Sequence, residues 1–505
     1  MDPFLIMTLL ATYVFFFFLS KLRKFMSKTL RPLPPGPPRL PIIGNLHQLD
    51  TSSLPDYLWR LSKQYGPLMS LRLGLVQTVV VSSADMAKEV LKTKDLIFCN
   101  RPVFTCQQIL SYNNKDIAFA PYNEYWREIK KTCTLHLFSM KQVNSFHHVR
   151  EEEVFDMINT LKTRIAKKHV VNLSETLMVL TSNIISRIAF GRRPSEYNEE
   201  QQEVTRFNEL LLQCPNFVYR DHFPFMGWLD KLNGSIGKLE KIFKHMDELY
   251  QDIIDEHVNR KDPNNMEDDM VDYLLKLKKE SDSSCELTFD HIKAVIMNIL
   301  LGGTETSAST VVWAMTLLMK NPESLKKVQQ EIRIAVGNKG KVNEDDLCKL
   351  NYLKAIVKET LRLYPVVPLL VPRESRDRCV IDGYEIPKKT LVYVNAFAVG
   401  RDPKCWESPE VFEPERFMGS NIDYKGTDFE FIPFLGLVGD VVPGCGAATV
   451  EVTLSNLIYS FDWELPEGTS EIDTLTVPGP FIRRKNDLRL VAKVYDHGCR
   501  SCSNV

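Results

Sequence analysis

From about residue 45 onward the apolar positions recur mostly at helical spacing, without internal repeats. Short β-like runs interrupt that pattern at 69–73 and 78–82 near the start, and at 390–394 and 488–494 later on. Polar, breaker-rich stretches over 193–202, 261–269 and 280–284 read as exposed loops. None is long enough to separate independent domains. The pattern predicts one large body, mainly α with a minor β part.

The longest helical candidate spans 291–319, with Asp290 as a plausible N-cap. Val295, Ile296, Met297, Ile299, Leu300 and Leu301 cover nearly every face, so this helix should run through the interior for roughly 44 Å. In its middle lies Gly302-Gly303-Thr304-Glu305-Thr306-Ser307. Each glycine costs about 1 kcal/mol relative to alanine, and glutamate is seldom fully buried. Two readings fit: a local distortion that makes room for a ligand, or a flexible bend in a core helix. A second helix over 354–363 stops before Pro365 and places Glu359 and Arg362 on one face, where such a pair is usually a surface salt bridge.

The amino terminus has a different pattern. Between Pro3 and Leu19 about 17 residues carry no charge and include Phe15 to Phe18, the short end of what crosses a bilayer as a helix. Asp2 precedes the run and Lys21, Arg23, Lys24 and Lys28 follow it, the reverse of a cleaved signal peptide. The positive flank leaves the rest of the chain in the cytosol; an interfacial or core helix is the alternative. The proline-rich stretch 32–38 reads as a stiff spacer. The chain therefore divides into a transmembrane anchor (1–20), a basic and proline-rich linker (21–44) and a body (45–505).

With 505 residues, 44% of them hydrophobic and 25% charged, the chain is neither disordered nor a small disulfide scaffold. The 63 basic and 64 acidic side chains create no global field toward nucleic acid. Eleven scattered cysteines lack metal-finger spacing and suit a reducing compartment.

Four features taken together, the anchor with its proline hinge, Gly302 to Ser307, Glu359-Thr360-Leu361-Arg362, and Pro414 to Phe417, resemble the cytochrome P450 superfamily. Phe431-Ile432-Pro433-Phe434 and Phe461-Asp462-Trp463 make the chain similar to the plant microsomal A-type group. The resemblance implies a P450 fold behind one amino-terminal transmembrane helix. It implies that Glu359, Arg362 and Arg416 form a structural charged triad, and that Trp126, Lys130 and Arg373 face haem propionates. Phe434 opens the ligand loop. Thr306, with Glu305 before it, matches the acid and alcohol pair beside the oxygen site. There a hydroxyl can hold water or peroxide while a carboxylate relays protons.

The family also requires a cysteine thiolate on iron, in a loop of the form Phe-x-x-Gly-x-Arg-x-Cys-Pro-Gly. Here the chain reads Phe434-Leu435-Gly436-Leu437-Val438-Gly439-Asp440-Val441-Val442-Pro443-Gly444-Cys445-Gly446. Counting from Phe434 puts the ligand at Val441, counting back from Pro443-Gly444 puts it at Val442, and counting back from Glu451 puts it at Asp440. None is cysteine, and no arginine or lysine lies between Leu435 and Val450. Cys445 is the nearby thiol, a candidate iron ligand if the loop rearranges and otherwise a small buried cysteine. One set of codons possible for Leu437 to Cys445, read from its third base, encodes Gly-Arg-Arg-Cys-Cys-Pro-Gly-Met, so a frame slip near Leu435, restored before Ala447, is a hypothesis for the origin of the segment.

Two functions follow. The first is an endoplasmic-reticulum haem-thiolate monooxygenase of a small apolar substrate. The resemblance implies electrons from NADPH through a membrane-bound reductase, with Lys130 and Lys131 belonging either to the docking face or to a solvated helix face. Its pocket walls would come from the 104–119, 210–223 and 366–371 regions. The second is a haem-poor, membrane-anchored binding or interaction protein. As written, the displaced cysteine favours loss of activity.

Overall fold

The computed structural model describes residues 32–166, 170–196, 217–260, 269–279, 287–434, 442–469 and 471–496. The anchor expected over 1–20 lies outside them, as do most of the loops expected at 193–202, 261–269 and 280–284. Among the described residues no helix is long and apolar enough to cross a membrane.

The helices of ten or more residues are α1 (Leu54–Tyr65), α2 (Glu124–His136), α3 (His147–Ile165), α4 (Leu173–Phe190), α5 (Ser235–Asn259), α6 (Met270–Lys279), α7 (Phe289–Gly303), α8 (Glu305–Lys320), α9 (Pro322–Val336), α10 (Asn351–Leu363) and α11 (Val442–Ser460). The larger sheet runs β1 (Leu68–Leu73), β2 (Val76–Val81), β7 (Leu391–Val394) and β4 (Arg373–Glu374) in that spatial order. β1 and β2 form an antiparallel hairpin, β7 lies parallel to β2, and β4 closes the edge antiparallel to β7. A second sheet joins β3 (Val170–Asn172), β11 (Arg489–Val494) and β8 (Phe461–Glu464). Two small hairpins pair β5 (Cys379–Ile381) with β6 (Tyr384–Ile386), and β9 (Thr476–Val477) with β10 (Arg483–Arg484).

The proline-rich segment lies along β1. Ser70 donates its N–H to Pro35 O (2.8 Å) and its hydroxyl to Pro34 O (2.7 Å). A Cβ at Gly36 would stand 1.9 Å from Ser70 O, so only glycine lets the chain pass this close.

The long interior helix expected over 291–319 is two helices, α7 and α8, divided at Thr304. The Thr306 hydroxyl donates to Gly302 O at 2.5 Å, giving that carbonyl a side-chain donor. Gly303 is closely covered by α4, where an added Cβ would come within 2.3 Å of Ile185 Cδ1. The N-cap is Thr288 rather than Asp290. The Thr288 hydroxyl accepts the His291 N–H, and the His291 ring accepts the Thr288 N–H. Asp290 instead pairs with Lys115 at 2.7 Å. Apolar burial around α7 and α8 matches the expected interior course, with Trp313 fully buried and stacked on Tyr364 at 3.8 Å.

α10 begins three residues before its expected start. Its Glu359 and Arg362 are wholly buried and do not form a surface pair. Glu359 accepts from Arg362 Nε (2.7 Å), Arg362 Nη2 (2.8 Å), Arg416 Nε (3.1 Å) and the Glu413 N–H (2.8 Å). Arg362 also donates to the carbonyls of Gly400, Pro409 and Val411. This network fastens the segment ahead of the ligand loop to the core.

Candidate functional site

The bend between α7 and α8 carries the expected acid and alcohol. Glu305 opens α8, is 3% exposed, and faces the Arg483 Nε of β10 at 3.2 Å. Burial raises its carboxyl above the ordinary range, and the Arg483 charge opposes that rise. The next hydroxyl, Thr306, is committed to Gly302 O.

The residues expected at the propionates sit on two elements. In α2 the Trp126 indole donates to Ile117 O (2.9 Å), and the Lys130 ammonium stands 4.9 Å from its ring centroid. In β4 Arg373 donates to Asp95 Oδ1 (3.0 Å) and Phe98 O (3.4 Å). Near it lies Arg101, which the sequence pattern did not single out. Arg101 is 7% exposed and donates to the carbonyls of Val371 and Pro372 at 3.1 Å each. Burial first, and the like charge of Arg373 second, pull its pKa down to about 9. Arg101 and Arg373 thus bring two guanidinium groups to this region, the second already paired with Asp95, and guanidinium groups suit carboxylates.

Phe434 is partly buried and packs edge-on against Tyr424, with centroids 5.6 Å apart. The following residues 435–441, with two of the three counted ligand positions, Asp440 and Val441, lie outside the described residues. Of the third, Val442, the structure describes only that it begins α11.

Cys445 stands in the first turn of α11. Its carbonyl accepts the Thr449 hydroxyl at 2.9 Å, and its Sγ is 3.9 Å from Arg150 Nη1 on α3. Arg150 is itself fully buried and paired through both side-chain oxygens of Glu344. Burial raises the Cys445 thiol pKa, against the pull of Arg150. A narrow apolar cavity of about 50 Å³ is lined by Cys445 and Gly446 from one side, by Gly302, Gly303 and Asn298 from another, and by Ile117. The donors present therefore fit the acidic edge of a haem. They do not fit its iron, which needs a thiolate ahead of α11 where the described chain offers a neutral-favouring thiol within it.

Three residues that neither spacing nor periodicity revealed belong to this region: Arg101, Asp116 and Asn298. The Asn298 side chain accepts from the Ile117 and Ala118 N–H groups and donates to Asp116. Its polarity within the otherwise apolar run from Ala294 to Gly303 was the one available signal.

Comparison with known proteins agrees with this architecture. The family model described as Cytochrome P450 matches residues 34–490. A 5-OH-xanthotoxin synthase of Ammi majus is 46% identical over 475 residues, covering 92% of this chain and 93% of the relative. A 6,7,8-trihydroxycoumarin synthase of Pastinaca sativa is 46% identical over 481 residues, with coverage of 92% and 93%. A solved zebra fish cytochrome P450 with abiraterone superposes with a TM-score of 0.74 at 25% identity, covering 88% of this chain and 99% of the other. The match runs through the anchoring network, the bent interior helix and the cationic edge alike, and the chain belongs to the cytochrome P450 family.

Proposed function

We propose that this chain descends from an endoplasmic-reticulum haem-thiolate monooxygenase of small apolar, coumarin-like substrates, and that the polypeptide as written is catalytically silent. One observation carries the reading of silence. The thiol nearest the ligand loop, Cys445, lies part-buried in the first turn of α11 against Arg150, and burial raises its pKa, which favours the neutral thiol over the thiolate that iron needs. The substrate class rests on the two plant relatives, whose names are those of coumarin-modifying enzymes. The ancestral electron donor is NADPH, acting through a reductase that docks beside α2.

Membrane attachment rests on the uncharged run 3–19 and on an apolar surface formed by parts of the chain distant in sequence. Ile42 and Ile43 join Leu75 through the Gly74 N–H, which donates to Ile43 O, and the Leu75 N–H donates to His222 O beside Phe225 and Trp228. All five apolar side chains are exposed.

The haem this family uses supplies oxygen activation when a thiolate holds its iron. In this chain the residues can bind the carboxylate edge through Arg101 and Arg373, and can hold a proton at Glu305. No step is assigned at the iron, because the donor set does not fit it.

The test is a reduced carbon monoxide difference spectrum of the full chain in microsomes. A thiolate-type red-shifted Soret band is expected to be absent, and to return when Gly-Arg-Arg-Cys-Cys-Pro-Gly-Met replaces the present loop. A strong thiolate band in the unaltered chain, abolished by Cys445→Ala, overturns the proposal. Sequencing the transcript and its locus checks the frame slip: bases that cannot be read as the family loop end that explanation.

A further inference from the structure

Asn298 lies in the otherwise apolar run from Ala294 to Gly303 of α7, and its amide makes three hydrogen bonds. Its Oδ1 accepts two consecutive backbone N–H groups, from Ile117 (2.9 Å) and Ala118 (3.1 Å), while its Nδ2 donates to Asp116 Oδ2 (3.0 Å). The same Asp116 oxygen accepts the Phe119 N–H at 3.1 Å. Four consecutive residues of the loop before α2 are thus fixed by one side chain and the carboxylate it holds.

What this pin holds bears on the site in two directions. Ile117 and Asn298 both line the cavity between α7 and α11. The Ile117 carbonyl accepts the Trp126 indole N–H, so the position of that indole at the cationic edge follows the position of residue 117.

An independent observation shows that the loop is held under constraint. Tyr112, Asn113 and Asn114 have φ of 53°, 63° and 59°, three consecutive non-glycine residues in the left-handed region. Such conformations persist only where surroundings over-determine them. The Tyr112 hydroxyl donates to Asp247 on α5 (3.0 Å), and its ring meets Phe243 at 4.9 Å. With the pin at 298 removed, the strained turn has freedom to unwind and take Ile117 with it. The pin also has a cost: Asp116 is fully buried, and its second oxygen has no hydrogen-bond partner among the described residues. Burial accordingly lifts its pKa to about 6. A carboxylate kept at that cost has a purpose that an apolar side chain would not serve.

We propose that Asn298 is a positioning residue for the substrate-facing wall. It acts through Asp116 and the loop backbone to set where Ile117 stands at the cavity and where the Trp126 indole stands at the cationic edge. The substrate wall rests on the functional reading above; the pin itself does not.

The test begins on the full chain as it stands. Hydrogen exchange at the Ile117 and Ala118 amides should accelerate by about tenfold or more in Asn298→Ala, with β1 and β2 unchanged. Emission assigned to Trp126 by difference with Trp126→Phe should shift in the same variant. Asn298→Asp alone should behave like Asn298→Ala, because two carboxyl groups then face each other. The double exchange Asn298→Asp with Asp116→Asn should restore protection and emission, since donor and acceptor are merely reversed. A residue that only fills space predicts an innocuous Asn298→Asp and no rescue, and that result overturns the proposal. In the chain with the restored loop, Asn298→Ala should weaken the coumarin-induced Soret shift by about tenfold at equal carbon monoxide band content, and unchanged coumarin binding refutes the substrate-wall role. If the restored chain takes up no haem, the functional reading fails while the exchange and rescue results still decide whether Asn298 positions Ile117 and Trp126.

Discussion

Replacing Glu359 by alanine is the severest test of how the ligand-loop framework is held. The carboxylate has no exposed surface, and it satisfies two guanidinium groups and one backbone N–H. Its loss leaves the Arg362 side chain, equally buried, with carbonyl partners but no counter-charge. Breaking a buried pair from one side costs about 3–5 kcal/mol, because the remaining charge stays desolvated. At roughly 2.1 cal/mol/K per residue, unfolding the 505-residue chain carries about 1.1 kcal/mol/K of entropy, so a loss of 4 kcal/mol lowers the midpoint by only about 4 °C. Denaturant titration is therefore the more sensitive assay, followed by far-ultraviolet dichroism and by Trp406 emission near the affected loop. Lys493→Ala serves as the contrast. It removes an ion pair with Glu464 whose side chains are both more than half exposed, and should cost under about 1 kcal/mol. A Glu359→Ala loss no larger than that of Lys493→Ala would refute the claim that this triad, rather than the apolar packing of α10, secures the segment.

Three further outcomes follow from the same structure. Trp313→Ala should destabilise by about 3–5 kcal/mol in the same titration, since it empties a fully buried site stacked on Tyr364 and removes the indole donor to Ile482 O. Burial lifts the Glu451 carboxyl to about 7 against Lys354 and Lys358, so between its ordinary value of 4.5 and about 7 the folded state holds a proton that the unfolded chain has lost. This group's contribution is full below that window, falls as pH rises through it, and is flat above. Glu451→Gln should relieve up to about 3 kcal/mol at pH 8 and little at pH 4.5, measured by denaturant midpoints across pH. Gly36→Ala should lift the proline-rich segment from β1, because its Cβ would overlap Ser70 O, and limited proteolysis should then cut within 32–40 while the body stays intact.

How much of this was legible in the sequence depended on range. The helical body, the β runs near 69–82 and 390–394, and the interior course of α7 and α8 were read from periodicity, because burial of one face writes itself into consecutive residues. The split at Thr304 was visible only as an ambiguity in Gly302 to Ser307. Its resolution lay in the Thr306 hydroxyl and in Ile185 of α4, more than a hundred residues away. The N-cap was missed by two positions because Asp290 and Thr288 both have capping side chains, and only Thr288 is matched by His291 three residues on. Arg101 was not legible and Asn298 was marked only by its polarity: most of their partners are backbone groups, and a carbonyl or an amide N–H has no letter in the sequence.

The same distinction explains why the cationic edge and the ligand loop can have different fates in one chain. The partners that hold Arg101, Arg373, Trp126 and Glu305 all lie outside 435–446, so a change confined to that segment leaves these supports intact. An iron ligand has no such redundancy, since its position is set by the few residues between Phe434 and α11. Cys445 cannot inherit that position by small adjustment. From Val442 to Cys445 the helix advances about 4.5 Å, whereas metal–ligand distances tolerate only about 0.2 Å. Reaching back would unwind the turn that Thr449 ties to the Cys445 carbonyl. It would also withdraw the sulfur from Arg150, whose charge Glu344 already balances, so the thiol has no compensating partner to gain. On the reading proposed above, the framework is expected to fold and to keep Arg101 and Arg373 in place, and restoring the family loop is the change expected to bring back iron ligation.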